Sequence, residues 1–285
     1  MSATFPTLLL APATPPTCSK NCCNGKHMHT ISPWRIERFP ITDSTNQLAI
    51  TRTHEAWSRD ESAHHLAFIA ERQTAGRGQH GRTWQSPSGG LYLSAVVEDV
   101  PPEARDRLAL IVGVAAVEAL HQTANVDTRL RWPNDLLLYG KKVGGILCEG
   151  IAQGNRWAAI IGIGLNVNTD LTSLPASLQK RTTSLLAHDG HPHALGEIEH
   201  TLLSHLAAQL AAVQQNGVAP VLQRVRQLDD LHGKRILFHD GVRDLHGIAA
   251  GIGDAGELLI AIDNHPPQAF SHGSVIAVDG VQLRD

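Results

Sequence analysis

The sequence predicts an α+β protein in two parts, strands packed on helices up to about residue 230 and a small closed β-barrel after it. Three observations predict this. Glu103 to about Ala124 sets Leu108, Ile111, Val112, Ala115 and Ala119 at helical spacing, the pattern of a helix laid on a sheet. Around it lie short runs rich in Val, Ile and Leu, bounded by Gly, Pro, Asn and Asp, which have the length and composition of strands. From Gly233 the texture changes to brief β runs separated by Asp, Gly and Asn turns, the spacing of a small barrel of about five strands.

Residues 1 to 32 read as an irregular tail broken by Pro6, Pro12, Pro15 and Pro16. No basic residue precedes its Leu8-Leu9-Leu10-Ala11 patch, and no apolar run in the chain is long enough to span a bilayer, so a cytoplasmic protein is expected. Cys18, Cys22 and Cys23 with His27 and His29 lack the paired C-x-x-C spacing of a zinc site, and chance thiols in a polar tail are the favoured reading. Cys148, inside an apolar run, reads as a buried small hydrophobe, and nothing suggests a disulfide. The formal net charge of −3 gives no general pull toward nucleic acid, and the tail is too short and proline-broken for a helix-turn-helix. Neither a nucleic-acid nor a membrane partner is expected.

Order is expected to begin near Trp34. Asp43-Ser44-Thr45-Asn46 offers N-caps to a helix reaching about Arg59, and Leu66–Ala70 is a buried strand leading into a glycine loop. Leu91–Val97, Thr128–Trp132, Leu136–Tyr139, Val143–Ile151 and Trp157–Val167 follow as strands, with Tyr139-Gly140-Lys141-Lys142 as a hairpin turn. Ala194–Gln215 and Val218–Asp229 are helices. The barrel strands are Arg235–Phe238, Val242–Ala250, Leu258–Ile262 and Ser274–Val278, with about one more.

The loop Gly76-Arg77-Gly78-Gln79-His80-Gly81-Arg82-Thr83-Trp84 carries the chemistry. It fits G-x-G-x-x-G, but that fingerprint has physical content only when the last glycine opens a helix facing pyrophosphate. Here Ser86-Pro87-Ser88-Gly89-Gly90 and a strand follow, so the dinucleotide reading fails; without a Gly-Lys-Ser/Thr, the Walker reading fails too. The glycines let backbone approach a ligand, Arg77 and Arg82 can fork onto phosphate or carboxylate oxygens, and Trp84 offers a face for a purine. Three further segments suit the same ligand. Asn134-Asp135 beside Pro133 suits Mg²⁺, which takes one or two carboxylates and completes its shell with water and phosphate. Lys142 before Gly144-Gly145 is a candidate carboxylate clamp, with glycines that would let a ligand lie flat on the strand. Gly162 to Asn168 ends in asparagines able to donate to and accept from a base edge.

In these segments, together with Asp43-Ser44-Thr45-Asn46 and Gln73-Thr74-Ala75, the chain closely resembles the biotin–protein ligases, in their order and spacing, from about Trp34 to the C-terminus. The resemblance implies a mixed β-sheet flanked by helices over residues 33–230, of the class II aminoacyl-tRNA synthetase and biotin ligase type, and an SH3-like barrel over 231–285. It implies activation of biotin by MgATP to biotinyl-adenylate, then transfer to a lysine of a biotin carboxyl carrier domain of acetyl-CoA carboxylase. By matched position, Ser44, Thr45, Gln73, Gly76 and Gly144 would serve biotin; Arg77 and Lys142 would hold its carboxylate and the reacting phosphate. Gly78, Gln79, Arg82, Trp84, Asn134 and Asn166 would serve ATP, and Asp135 would serve Mg²⁺ or the incoming lysine. A homodimer stays open. The family pattern has an arginine where this chain has Gln79, so looser retention of the adenylate is expected unless His80 or another cation compensates. Repressor activity is not expected. A lipoate–protein ligase and a non-catalytic biotin or nucleotide sensor are the rival readings.

Overall fold

The structure is a computed structural model and describes residues 29–31, 33–263 and 265–283. Its first sheet has eight strands in the order β1-β2-β3-β4-β8-β7-β6-β5. These are β1 (His29–Ile31), β2 (Trp34–Thr42), β3 (Leu66–Gln73), β4 (Leu91–Val97), β5 (Thr128–Arg131), β6 (Asp135–Leu138), β7 (Lys141–Gln153) and β8 (Arg156–Leu165). Helix α1 (Thr45–Ser58) crosses between β2 and β3, the one parallel pair, because a parallel return needs a long connection. All other neighbours are antiparallel, so the sheet is mixed.

One face of the sheet carries the main core. Leu91, Leu93, Ala95 and Val97 of β4 and Ala159, Ile161, Ile163 and Leu165 of β8 alternate onto it, as the period of two requires. Helix α2 (Leu108–Ala124), α5 (Leu195–Asn216) and α6 (Ala219–Leu228) cover it. Short helices α3 (Ala176–Gln179) and α4 (Leu185–Asp189) precede α5. The segment Pro102–Ala124 is long and apolar enough, by length and composition alone, to cross a membrane. Here α2 is a core helix, apolar nearly all round because it is enclosed by sheet and helices. On the other face, α1 is laid down, with Ala49, Ala56 and Trp57 over Val96, Ala158 and Ile160.

The second sheet is antiparallel, ordered β12-β11-β10-β9-β13-β14, as expected of an SH3-like unit. It comprises β9 (Arg235–His239), β10 (Asp244–Ile252), β11 (Leu258–Ala261), β12 (Gln268–Phe270), β13 (Ser274–Val278) and β14 (Val281–Gln282), six strands where about five were expected. It shares one continuous core with the first sheet: the Trp132 ring lies 6.1 Å from Phe238, and Trp132 Nε1 donates to the Gly256 carbonyl at 3.1 Å. Arg131, in turn, is paired with Asp230 at 2.9 Å.

Several expectations need correction. Residues 29–31 of the supposed tail form β1, and β2 was not foreseen as a strand at all. The cysteines of the tail lie outside the described residues. The segment expected as a helix from Glu103 starts as a 3₁₀ turn and becomes α-helical at Leu108. The hairpin turn is Tyr139-Gly140 alone, both at positive φ, and Lys142 already belongs to β7. Cys148 keeps some exposed surface, while burial pushes its thiol up to about 12.

Candidate active site

The cavity forms where α1 ends its cover of the sheet. Along β8 the residues facing α1 are Ala158, Ile160, Gly162 and Gly164, so side chains disappear toward the strand's C-terminal end. A Cβ on Gly162 would sit 2.2 Å from Asn46 Oδ1, and one on Gly164 would sit 2.6 Å from Trp84 Nε1. On β7, a Cβ at Gly145 would meet Trp84 Cζ3 at 3.2 Å. Of the two glycines expected to let a ligand lie flat, Gly145 thus meets the protein's own Trp84 ring. Around this floor opens a cavity of about 720 Å³, within the range of small-molecule sites.

A backbone irregularity aims Lys142. Asp135 pairs with Gly145 and Leu136 with Gly144, but Leu137 pairs with Lys142, leaving Val143 as the extra residue of a bulge. Without the bulge, strand alternation would put Lys142 on the same face as Gly144, toward the core; with it, Lys142 joins Asp135 and Gly145 on the cavity face. Lys142 Nζ lies 2.5 Å from Asp135 Oδ1 and 5.3 Å from the centre of the Trp84 ring.

The glycine loop is a miniature hairpin. Gly78 N donates to Arg82 O at 2.7 Å and Trp84 N to Gly76 O at 2.8 Å, with a 3₁₀ turn over Gln79–Gly81 at the tip. No helix follows, as the failure of the dinucleotide reading required. A chain of hydrogen bonds fixes the hairpin to the floor. Gln73 Nε2 donates to Ser86 Oγ at 2.8 Å across the hairpin's neck, and Gln73 Oε1 accepts from Thr45 N and Oγ1 at 2.8 and 3.1 Å. Ser94 Oγ lies 2.7 Å from Thr45 Oγ1 and 2.6 Å from Asn46 Oδ1. Asn46 Nδ2 then donates to Glu149 Oε2 at 2.8 Å, and Glu149 Oε1 accepts from Arg77 at 2.8 Å.

Most residues picked from the sequence line this one cavity: Ser44, Thr45, Gln73, Arg77, Gly78, Gln79, Arg82, Trp84, Asn134, Asp135, Lys142 and Asn166. Two do not. Gly144 faces the core, where a Cβ would lie 2.6 Å from Leu165 Cδ2, and Gly76 sits at the hairpin neck, 2.4 Å from Trp84 O by the same measure. Their smallness serves packing. His80, considered as a substitute cation, is also absent from the cavity wall; its Nε2 lies 3.4 Å from Ser274 Oγ of the second sheet. Ser44 caps α1, accepting from Gln47 N at 3.4 Å. Asn134 Nδ2 donates to Ile146 O at 2.7 Å and Asn166 Nδ2 to Thr183 O at 3.1 Å, so each amide gives one proton to the scaffold.

Sequence reasoning missed Asn46 and Glu149 as parts of the network. It also missed Lys180, Arg181 and Thr182 on the wall, and Val275, Val281 and Leu283, which the second sheet contributes. Asn46 was within reach, since it stands in the motif that supplied Ser44 and Thr45. Chemically, the wall holds cations from four segments against one carboxylate, Asp135, a setting for a ligand with several negative charges.

Residues 38–166 match the model of the biotin/lipoate A/B protein ligase family. The chain is 34% identical over 227 residues to the bifunctional ligase/repressor BirA of Escherichia coli, covering 79% of this chain and 68% of that protein. To the biotin–[acetyl-CoA-carboxylase] ligase of Mycobacterium tuberculosis it is 34% identical over 242 residues, 81% and 85% of the two chains. Among solved structures, the Aquifex aeolicus biotin protein ligase in complex with biotin and ATP superposes with a TM-score of 0.73 at 26% identity, over 84% of this chain and 97% of that one.

Proposed function

The chain belongs to the biotin/lipoate A/B protein ligase family, as an enzyme of the biotin–[acetyl-CoA-carboxylase] ligase type, and from that premise we propose a two-step reaction for this cavity. Biotin carboxylate attacks the α-phosphorus of ATP; the new C–O–P linkage forms as the Pα–O bond to pyrophosphate breaks. The ε-amine of a lysine on a biotin carboxyl carrier domain then attacks the acyl carbon, forming an amide and releasing AMP. The observation that carries this reading is Lys142, turned by the bulge into a glycine-floored cavity that Arg77, Arg82 and Trp84 also line.

The first step gathers charge from a carboxylate and a triphosphate, so its barrier falls most where cations are already aimed at the reacting phosphate. Lys142 is aimed by the bulge and held by Asp135; Arg77 is held by Glu149. Each pair exchanges its carboxylate partner for the substrate's anionic oxygens without moving its backbone. The biotin head group is assigned to the Ser44, Thr45 and Gln73 end, where the Thr45–Gln73 bonds stand ready to be traded for ligand contacts. The purine is assigned to the side of Trp84 and Asn166. In the second step the incoming lysine must lose a proton, and Asp135 is the one carboxylate among the described wall residues able to take it.

The donor set fits Mg²⁺ only in part: Asp135 supplies one carboxylate oxygen, beside Asn134. Such an ion would be held mainly by nucleotide phosphates and water, the usual habit of Mg²⁺. It would neutralise phosphate charge; the aiming of substrate belongs to the side chains above. We place the enzyme in the cytoplasm with its carrier.

The test is a transfer assay with ATP, a biotin carboxyl carrier domain, and labelled biotin or labelled lipoate. Covalent labelling by biotin is expected. Labelling by lipoate instead would move the chain to the lipoate branch, and labelling by neither would favour the sensor reading.

A further inference from the structure

Outside the cavity, one group of side chains among the described residues has the chemistry of a metal site. We propose that Asp189, His191 and His193, at the end of α4, bind one divalent ion of the Zn²⁺ class, independently of the reaction above. Their ligand atoms all lie within 4.8 Å of one another. Both imidazoles turn Nε2 toward the same carboxylate oxygen: Asp189 Oδ2 is 2.8 Å from His193 and 3.4 Å from His191. Tetrahedral Zn²⁺ with bonds of about 2.0–2.2 Å would separate its ligand atoms by roughly 3.3–3.6 Å. Admitting the ion would lengthen the Asp189–His193 contact by about half an ångström and draw the exposed His191 ring inward.

An Asp–His pair alone needs only one imidazole. The second, brought to the same oxygen through Pro192, is what a metal explains. The loop is also braced as ligand loops are, with outer hydrogen bonds fixing the donors. Asp189 Oδ1 accepts from His191 N at 3.3 Å, leaving Oδ2 for the imidazoles. The Asn168 side chain clamps the His193 backbone from both sides, accepting from its N–H and donating to its carbonyl, each at 2.8 Å. The His193 side chain is 7% exposed and that of His191 66%, so one ligand is fixed and the other can close from solvent. Two His nitrogens and one carboxylate oxygen suit Zn²⁺ better than Mg²⁺ or Ca²⁺, and leave a fourth position for water.

The consequence is structural. Helix α4 hangs on the end of β8 by Leu185 N to Asn166 O at 3.1 Å and Leu186 N to Val167 O at 2.9 Å. A bound ion would stiffen the segment that holds Asn166 in the cavity wall.

The test uses the full chain with Cys18, Cys22 and Cys23 replaced by serine, which removes the N-terminal thiols as competitors. Metal-stripped protein is titrated with Zn²⁺, and with Co²⁺ to read the ligand field. We expect about one equivalent bound, a Co²⁺ spectrum without a thiolate band, and slower hydrogen exchange over residues 185–193. His193→Ala and Asp189→Asn should each weaken binding at least about tenfold, as should His191→Ala, whose exposed ring the fold does not need. Absence of stoichiometric binding in the serine variant, or binding unchanged by His191→Ala and His193→Ala, would overturn the proposal.

Discussion

The two faces of β7 and β8 are built from the same strands and do opposite work. On the core face Ala159, Ile161, Ile163 and Leu165 are buried under α2 and its neighbours. On the other face the same strands thin out to Gly162, Gly164 and Gly145, and the space is taken by Asn46, Trp84 and the cavity. Apolar burial on the first face stabilises the fold; bare backbone on the second gives room for polar groups and ligand. Substitutions one residue apart should therefore fail in different ways.

The largest effect is expected from Gly164→Val. Its side chain would displace the Trp84 ring, so biotin-dependent ATP–pyrophosphate exchange should fall by at least about 100-fold, or some 2.7 kcal/mol of transition-state stabilisation. The thermal midpoint should move far less than exchange does; full activity would mean that the seating of Trp84 does not matter. Ile161→Ala probes the opposite face. The loss of its buried side chain should destabilise the protein by about 2–5 kcal/mol by denaturant titration, while the exchange rate of the folded fraction stays within about twofold. A collapse of exchange with folding intact would contradict the division between the faces.

Much of this division was legible in the sequence. The long apolar helix α2, the strands β4, β7 and β8 and the change of texture near Gly233 all follow from periodicity and turn residues. The glycine loop and its partner segments were recognised because their residue types are chemically unusual together. Strand β2 was not, since its Trp34-Arg35-Ile36-Glu37 alternation is cut short by Arg38 and Pro40, which stand where the period of two calls for apolar residues. The aim of Lys142 was hidden too, because a bulge depends on the register between strands. The Arg77–Glu149 pair joins residues 72 apart in sequence, a contact no local pattern encodes.

Two smaller effects sharpen the functional face. Glu149→Gln keeps a partner for Asn46 but removes the charge that holds Arg77. Biotin-dependent kcat/KM should fall by about tenfold, mostly in KM, because the lost contact acts before the reaction begins. Equal kinetics would show that Arg77 needs no holder. Smallest is Gln79→Arg at the hairpin tip. An added cation should slow release of the adenylate several-fold, roughly 1 kcal/mol of charge-assisted contact, and identical release rates would show that Gln79 is no weaker than arginine.

Lys142 carries the proposed chemistry, and a single extra residue in β7 turns it from the core face to the cavity face. Biotin-dependent ATP–pyrophosphate exchange, measured on wild type and Lys142→Ala with folding verified for both, tests it most directly. Exchange in the wild type and a loss of at least about 100-fold in the variant are predicted. Full exchange by Lys142→Ala, or none by the wild type, would contradict it.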